Sequence, residues 1–362
     1  MTSAFELIRV AIGKQECLSG IPTADEWLDL LDFAVKHTLV GVMYNGVEKL
    51  PKEQRPPKKV LLNWYFTVEK VKERNATMDR LTSWVVNNFR NDGWQCVILK
   101  GQGIARLYPD PHVRMSGDID VWLKGNRDEI IRYLHSKGMH GRIVYHNMEF
   151  TIFNSTTVEV HFTPSWMNNY FTNLKLQKFF TDHQDELLCH SLVLNENVAA
   201  INVPTDAFNR VFILQHIYRH LFGSGIGLRQ ILDYYYVLER GFTQEERMET
   251  VDILKQIHML KFTSAVMYVL ERIFGLEKSK MLIEPNPKEG EFLLKEILTA
   301  GNFGRFDERI QIPKDENKLH SFFRITKQNM RLLMHYPEET LWNPLYRAWH
   351  FIWRLYKGYP IK

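Results

Sequence analysis

The hydrophobic period of this chain changes twice, and that double change limits its fold more than any other feature. Before residue 90 the apolar residues recur every three or four positions, the period of an amphipathic helix. "TADEWLDLLDFAVKH" opens with Thr23 and Glu26 at capping-box spacing, and Trp27, Leu30, Leu31, Ala34 and Val35 then follow one helical face. A long helix is expected over Lys58 to Arg90, with Leu61, Trp64, Val68, Val71, Met78, Leu81 and Val85 spaced mostly by three or four. Between 94 and 163 the pattern shortens. "CVIL", "DIDVWL", "GRIVYH", "MEFTIF" and "TTVEVHF" read as strands, and "NRDEIIRYLHSKG" as a helix with acids in its first turn and glycine at its end. After Pro164 helical spacing returns in "PTDAFNRVFILQHIYRHL" and "LRQILDYYYVLERG". The expected fold class is therefore α+β: a small mixed sheet at 94–165 between helical regions at 1–93 and 166–362.

Two segments carry further expectations. Residues 284–318 are polar and glycine-rich around one short helix, and are expected to form a long surface excursion. In the basic, aromatic tail Trp349, Ile352, Trp353 and Tyr356 fall at i, i+3, i+4 and i+7, the spacing of a buried face, so the tail is expected to dock there.

Composition narrows the partners. The 362 residues are 45% hydrophobic and 24% charged, as in ordinary globular proteins, and can build a sizeable core. A net charge of +4 suits an anionic ligand but is too small to argue for nucleic acid, and basic stretches interleaved with aromatics are not evident. Cys17, Cys96 and Cys189 lie far apart without zinc spacing, which points to a reducing compartment. Glu6 and Arg9 interrupt the first apolar stretch, so a signal peptide is not expected. No apolar run approaches the ~18 residues of a membrane span. A cytoplasmic protein is the expectation.

Asp118 and Asp120 are the chemically informative pair. Strands are depleted in Asp, and crowded carboxylates resist burial without a positive partner. Residues two apart on a strand share a face, so both carboxylates converge while Ile119 and Val121 point the other way. That is a hard oxygen site, suited to magnesium or manganese rather than zinc. Glu159 stands between Val158 and Val160 on an otherwise apolar strand, on the same face as His161. If the two strands are neighbours, Asp118, Asp120 and Glu159 can bracket two cations and carry the catalysis. "LKGQG" adds a strand turning through glycine into a helix, with free backbone N–H groups. Lys100, Gly101, Gln102, Arg114 and Ser116 are the candidate nucleotide-binding residues: Lys100 as a point charge, Arg114 as a bidentate phosphate clamp, Gly101 as a backbone that approaches closely. Singly, each feature has a bland reading as a turn or solvated edge. Their order along the chain is what points to phosphate chemistry.

"VILKGQGIARLYPDPHVRMSGDIDVWL", followed by "VEVHF", resembles the nucleotidyltransferase superfamily with the DNA polymerase β-type palm, and in particular an uncharacterised bacterial nucleotidyltransferase family. "EWLDLLDFAVKHTLVGVMYNGVEKLP" and "QHIYRHLFGSGIGLRQILDYYYVL" are similar to that family's flanking helices, so the likeness runs to about residue 240. The resemblance implies transfer of a nucleoside monophosphate from a metal-bound NTP, ATP among them, to an acceptor hydroxyl on a small molecule or protein. Asp118 and Asp120 would match the paired metal ligands, Glu159 the third carboxylate, and Gly101 the first residue of the superfamily's glycine turn. Gln102 replaces the usual Gly or Ser, and the gap from Gly101 to Asp118 is longer than in compact members. Two other readings stand beside this one: a catalytically degenerate nucleotide-binding or interaction module, and a toxin-like nucleotidyltransferase held by a regulatory protein partner.

Other motifs weigh less. His216 and His220 in "HIYRH" have the spacing of a zinc protease, but Ile217 stands where its glutamate belongs, so a packed or phosphate-facing pair is expected. "GSGIG" follows a helix rather than a strand and is read as a helix–helix turn.

Overall fold

The computed structural model describes residues 2–153, 156–194, 200–309 and 317–359. Four helices come first: α1 (Thr2–Ala11), α2 (Ala24–Lys36), α3 (Val40–Lys49) and α4 (Lys58–Asn91). Thr23 caps α2, with the Glu26 carboxylate accepting from the Thr23 N–H at 2.7 Å, so the capping box forms as its spacing predicts. The middle of the chain then supplies β1 (Cys96–Ile98), α5 (Gly101–Ala105), β2 (Asp118–Leu123), α6 (Arg127–Ser136), β3 (Arg142–Ile143), β4 (Asn147–Ile152) and β5 (Thr156–His161). These strands form one mixed sheet in the order β1-β2-β5-β4-β3. β2 and β5 run parallel, and the other pairs are antiparallel.

A helical region completes the α+β architecture. It comprises α7 (Tyr170–Cys189), a small ribbon of β6 (Ser191–Leu192) and β7 (Ile201–Asn202), then α8 (Asp206–Phe222), α9 (Leu228–Glu239), α10 (Gln244–Gln256), α11 (Leu260–Val269), α12 (Pro287–Ala300), α13 (Lys318–Asn329) and α14 (Pro337–Tyr356). No helix among the described residues is long and apolar enough to cross a membrane.

The alternation of β2 and β5 decides where the core ends and the site begins. Ile119, Val121, Val158 and Val160 are buried with Ile130, Ile131 and Leu134 of α6 and with Val85, Val86 and Phe89 of α4. Each such side chain contributes about 1.5–3 kcal/mol on burial, so this face holds the sheet on its two helices. The opposite face carries Asp118, Asp120, Glu159 and His161. A second core joins the N-terminal helices to α8, α9, α11 and α12 and walls that polar face.

Two expectations are corrected. The stretch from 287 to 309 is not a surface excursion, because Leu293, Ile297 and Ala300 are buried. Its glycines permit close packing: a Cβ on Gly290 would fall 2.3 Å from a Tyr268 ring atom, and one on Gly304 2.2 Å from the Ser224 carbonyl. The part of this stretch at 310–316 lies outside the described residues. In the tail, α14 docks through Glu339, Thr340, Asn343 and Arg354, all buried, whereas Ile352 is 64% exposed and Tyr356 87%. The Glu339 carboxylate accepts from the Asn168 and Asn169 N–H groups, each at 3.0 Å, and of the expected face only Trp349, against Tyr145, and Trp353, under Arg127, meet the body.

Candidate active site

The polar face of β2 and β5 opens into a cavity of about 270 Å³. Its wall combines Lys100, Gly101, Asp118, Asp120 and Glu159 with His216 and His220 of α8 and Arg229 of α9. The turn after β1 is built for this position. Gly101 has φ +51°, a left-handed backbone that glycine adopts without a Cβ penalty, and "LKGQG" thereby turns from strand to helix beside Asp118.

Register brings the acids together. Asp120 stands opposite Glu159 on adjacent parallel strands, and Asp118 stands opposite Thr157, one pleat away. Among the described residues, the ligand atoms of Asp120, Glu159 and His161 all lie within 4.8 Å of one another. The sequence places His161 on Glu159's face without a role, yet its Nε2 lies 2.9 Å from Asp120 Oδ1 and 3.5 Å from Glu159 Oε2. Glu159 also accepts from Asn147 Nδ2 at 2.6 Å.

The charges here are strongly coupled. Burial opposes ionisation of Asp120, but the Lys100 ammonium at 2.8 Å and His161 outweigh it and hold the carboxyl well below the ordinary range. Asp118 is pushed up to about 6, first by the Asp120 charge and then by burial. Burial likewise opposes ionisation of Glu159, and His161 overcomes it, leaving this carboxyl lowered. His161 is itself raised, because its bonds to the two carboxylates exceed the cost of its burial. This donor set fits a hard divalent ion. Two repelling carboxylates with a third level with them form an oxygen-rich, over-crowded site, and a dication would relieve the repulsion felt by Asp118.

The other candidates are distributed differently. Arg114 reaches the cavity wall, but its Nε and Nη2 donate to Asp233 at 2.7 and 2.8 Å and its Nη1 to Ser116 Oγ at 3.1 Å. Tyr108 donates its hydroxyl to the same aspartate at 2.7 Å. Arg114 and Ser116 thus tie the approach to β2 onto α9, and Arg219 and Arg229 are the arginines added to the cleft, Arg229 with its Nη1 3.3 Å from Asp233 Oδ2. Gln102 is buried and turned away, its amide donating to Asp79 of α4. Arg106 donates to that aspartate at 2.9 Å, so α4 pins the glycine turn from behind. Asn75 of α4 supports the Arg114 carbonyl at 2.8 Å.

His216 and His220 do face the cleft. Their Nε2 atoms are 3.0 Å apart, and His220 Nδ1 lies 2.9 Å from Ser224 Oγ. Burial, then the Lys100 charge for His216 and the Arg219 charge for His220, drives both well below the usual histidine range. Lys100 Nζ is 3.4 Å from His216 Nε2. Phe303 adds a ring from the glycine-rich stretch after α12. Sequence reasoning missed Arg229, Asp233 and Phe303, since each reaches the site from a distant part of the chain.

The sequence model of a family described as "Uncharacterised nucleotidyltransferase" matches residues 23–275. Among solved structures, an antigenic nucleotidyltransferase-like protein from Paracoccidioides brasiliensis is similar at 13% identity and a TM-score of 0.30, over 55% of this chain and 96% of that one. No curated protein matches the chain.

Proposed function

This chain belongs to the uncharacterised nucleotidyltransferase family, and on that premise we propose that it moves a nucleoside monophosphate from an NTP to an acceptor hydroxyl, on a DNA polymerase β-type palm. The observation that carries the reading is the alignment of Glu159 with Asp120 across parallel strands, in one cleft with Asp118, Lys100 and the Gly101 turn.

Asp118, Asp120 and Glu159 are the residues that would hold magnesium or manganese, with His161 close by. Such an ion supplies charge neutralisation on the phosphates and acidifies the attacking oxygen. The chain's own groups divide the remaining work. Lys100 and Arg229 give positive charge to the triphosphate side, and Gly101 lets the backbone approach it. Gln102, Arg114 and Ser116 act one layer back, holding the turn and β2 in place. In the transfer step the acceptor oxygen bonds to the α-phosphorus, the bond to the bridging oxygen of the β-phosphate breaks, and pyrophosphate leaves. Glu159, ionised because its carboxyl is lowered, takes the proton from the acceptor hydroxyl.

A second reading, a nucleotide-binding module without turnover, is favoured by two contacts: Lys100 Nζ and His161 Nε2 both sit on Asp120 Oδ1, an oxygen an ion would need. Label transfer separates the two. Wild-type protein with α-phosphorus-labelled NTPs, magnesium and a pool of hydroxyl-bearing metabolites is expected to yield a labelled product, and Glu159→Gln to bind NTP but yield none. Magnesium-dependent NTP binding with no product from either protein would favour the module.

A further inference from the structure

A larger cavity, of about 530 Å³, lies on the other side of Glu159. It shares Glu159, Arg219 and His220 with the first, so the two volumes meet at the third carboxylate. Its size falls within the ~300–1,000 Å³ of small-molecule sites.

Arg219 is the unusual group at that junction. Its Nη1 and Nη2 lie 3.3 Å from His146 Nε2 and His216 Nδ1, and its guanidinium carbon sits 4.2 Å above the Trp166 ring. Its Nε is buried without a partner, and among the described residues no carboxylate lies within 4.0 Å of the guanidinium. Glu159 and Asp120 act on this charge only from beyond that distance, so it is short of a direct anionic partner, and a charge taken out of water costs several kcal/mol until an anion joins it. His146 and His220 are held well below the usual histidine range, and His350 is lowered to about 4, burial being the main cause for all three. The histidines therefore add no charge to the wall at neutral pH, and arginine is its source of positive charge. One side is aromatic: Trp166 and Tyr346 stack at 5.8 Å and 22°, and His350 lies nearly parallel to Tyr346.

We propose that this cavity is the acceptor site and takes a small hydroxylated organic anion, its carboxylate or phosphate bound by Arg219 and its hydroxyl presented to Glu159. The word acceptor rests on the nucleotidyl-transfer reading; the anion site does not. Guanidinium suits either anion, because its fork matches two oxygens at once.

Calorimetry on the full chain tests this with phenyl phosphate, benzoate and neutral benzyl alcohol, each with and without magnesium and an α,β-methylene ATP analogue. Expected is binding of at least one anion in both conditions, with benzyl alcohol about tenfold weaker or worse. Whichever anion binds more tightly identifies the group. Arg219→Gln should lose about tenfold in anion affinity and lose less for the analogue, whose cavity Arg219 only borders. Displacement of the anions by the analogue, or loss of analogue rather than anion affinity in Arg219→Gln, overturns the proposal. Should that variant not fold, Arg142→Glu on the exposed end of β3 serves: weaker anion binding is expected, and unchanged binding overturns the proposal. An analogue that binds nowhere refutes the transfer reading, whereas an anion that binds nowhere refutes the cavity assignment.

Discussion

Lys100 Nζ lies 2.8 Å from Asp120 Oδ1, so the lysine just beyond β1 neutralises the central carboxylate of β2. Both side chains are withdrawn from solvent, and His161 completes the arrangement from β5. Removing one partner of such a buried pair leaves the other charge uncompensated. Asp120→Asn should therefore lose about 3 kcal/mol of stability as well as magnesium-dependent NTP binding. Urea unfolding at neutral pH measures the first effect, and a loss below about 1 kcal/mol would show that the pair is structurally idle.

Asp118 is expected to behave in the opposite way. Its carboxyl rises from 3.8 to about 6 in the fold, chiefly through the Asp120 charge. A raised acid favours the folded state at low pH and loses that advantage as pH climbs from 3.8 to about 6. Above that window ionised Asp118 strains the metal-free protein, by on the order of 1–3 kcal/mol. Asp118→Asn should raise the thermal midpoint at pH 7.5 without magnesium and abolish the magnesium-dependent shift with NTP. A lowered midpoint in chelator would contradict the crowding argument.

Gln102 and Arg114 should affect the nucleotide only through structure. Gln102→Ala removes a buried amide from Asp79 and is expected to cost about 1–2 kcal/mol, with NTP-analogue affinity unchanged. Arg114→Lys cannot reproduce the fork on Asp233 and should cost more, on the order of 3 kcal/mol. Paired unfolding and calorimetry decide: a stable Gln102→Ala protein with sharply weakened analogue binding would return Gln102 to the phosphates.

His37 supplies a pH test away from the cleft. It is fully buried, and its Nδ1 accepts from the Leu228 N–H at 3.4 Å, linking the α2–α3 turn to the start of α9. Burial, then the Lys36 charge, lowers it from 6.5 to about 3. A depressed histidine contributes stability that is whole above pH 6.5 and drains away as pH falls toward about 3. Between pH 7 and pH 4 the melting temperature of His37→Gln should fall less than that of the wild type. Parallel curves would mean that His37 takes up no proton on unfolding.

The strands, the long helix, the capping box and the polar faces of β2 and β5 were legible because each depends on residues adjacent in sequence. Asp118, Asp120 and Glu159 stood out for that reason: an acid between valines declares its face by period alone. Tertiary structure decided what those faces meet. It set β5 beside β2 in a register that aligns Glu159 with Asp120 and draws in His161. Arg114 went to Asp233 and Gln102 to Asp79, partners no local pattern could name. The glycines near 301–304 likewise looked like loop until packing against Ser224 gave them a purpose. A hydrophobic period is a property of the local chain, whereas the partner of a buried charge is chosen by whichever distant group the fold brings within a few ångströms.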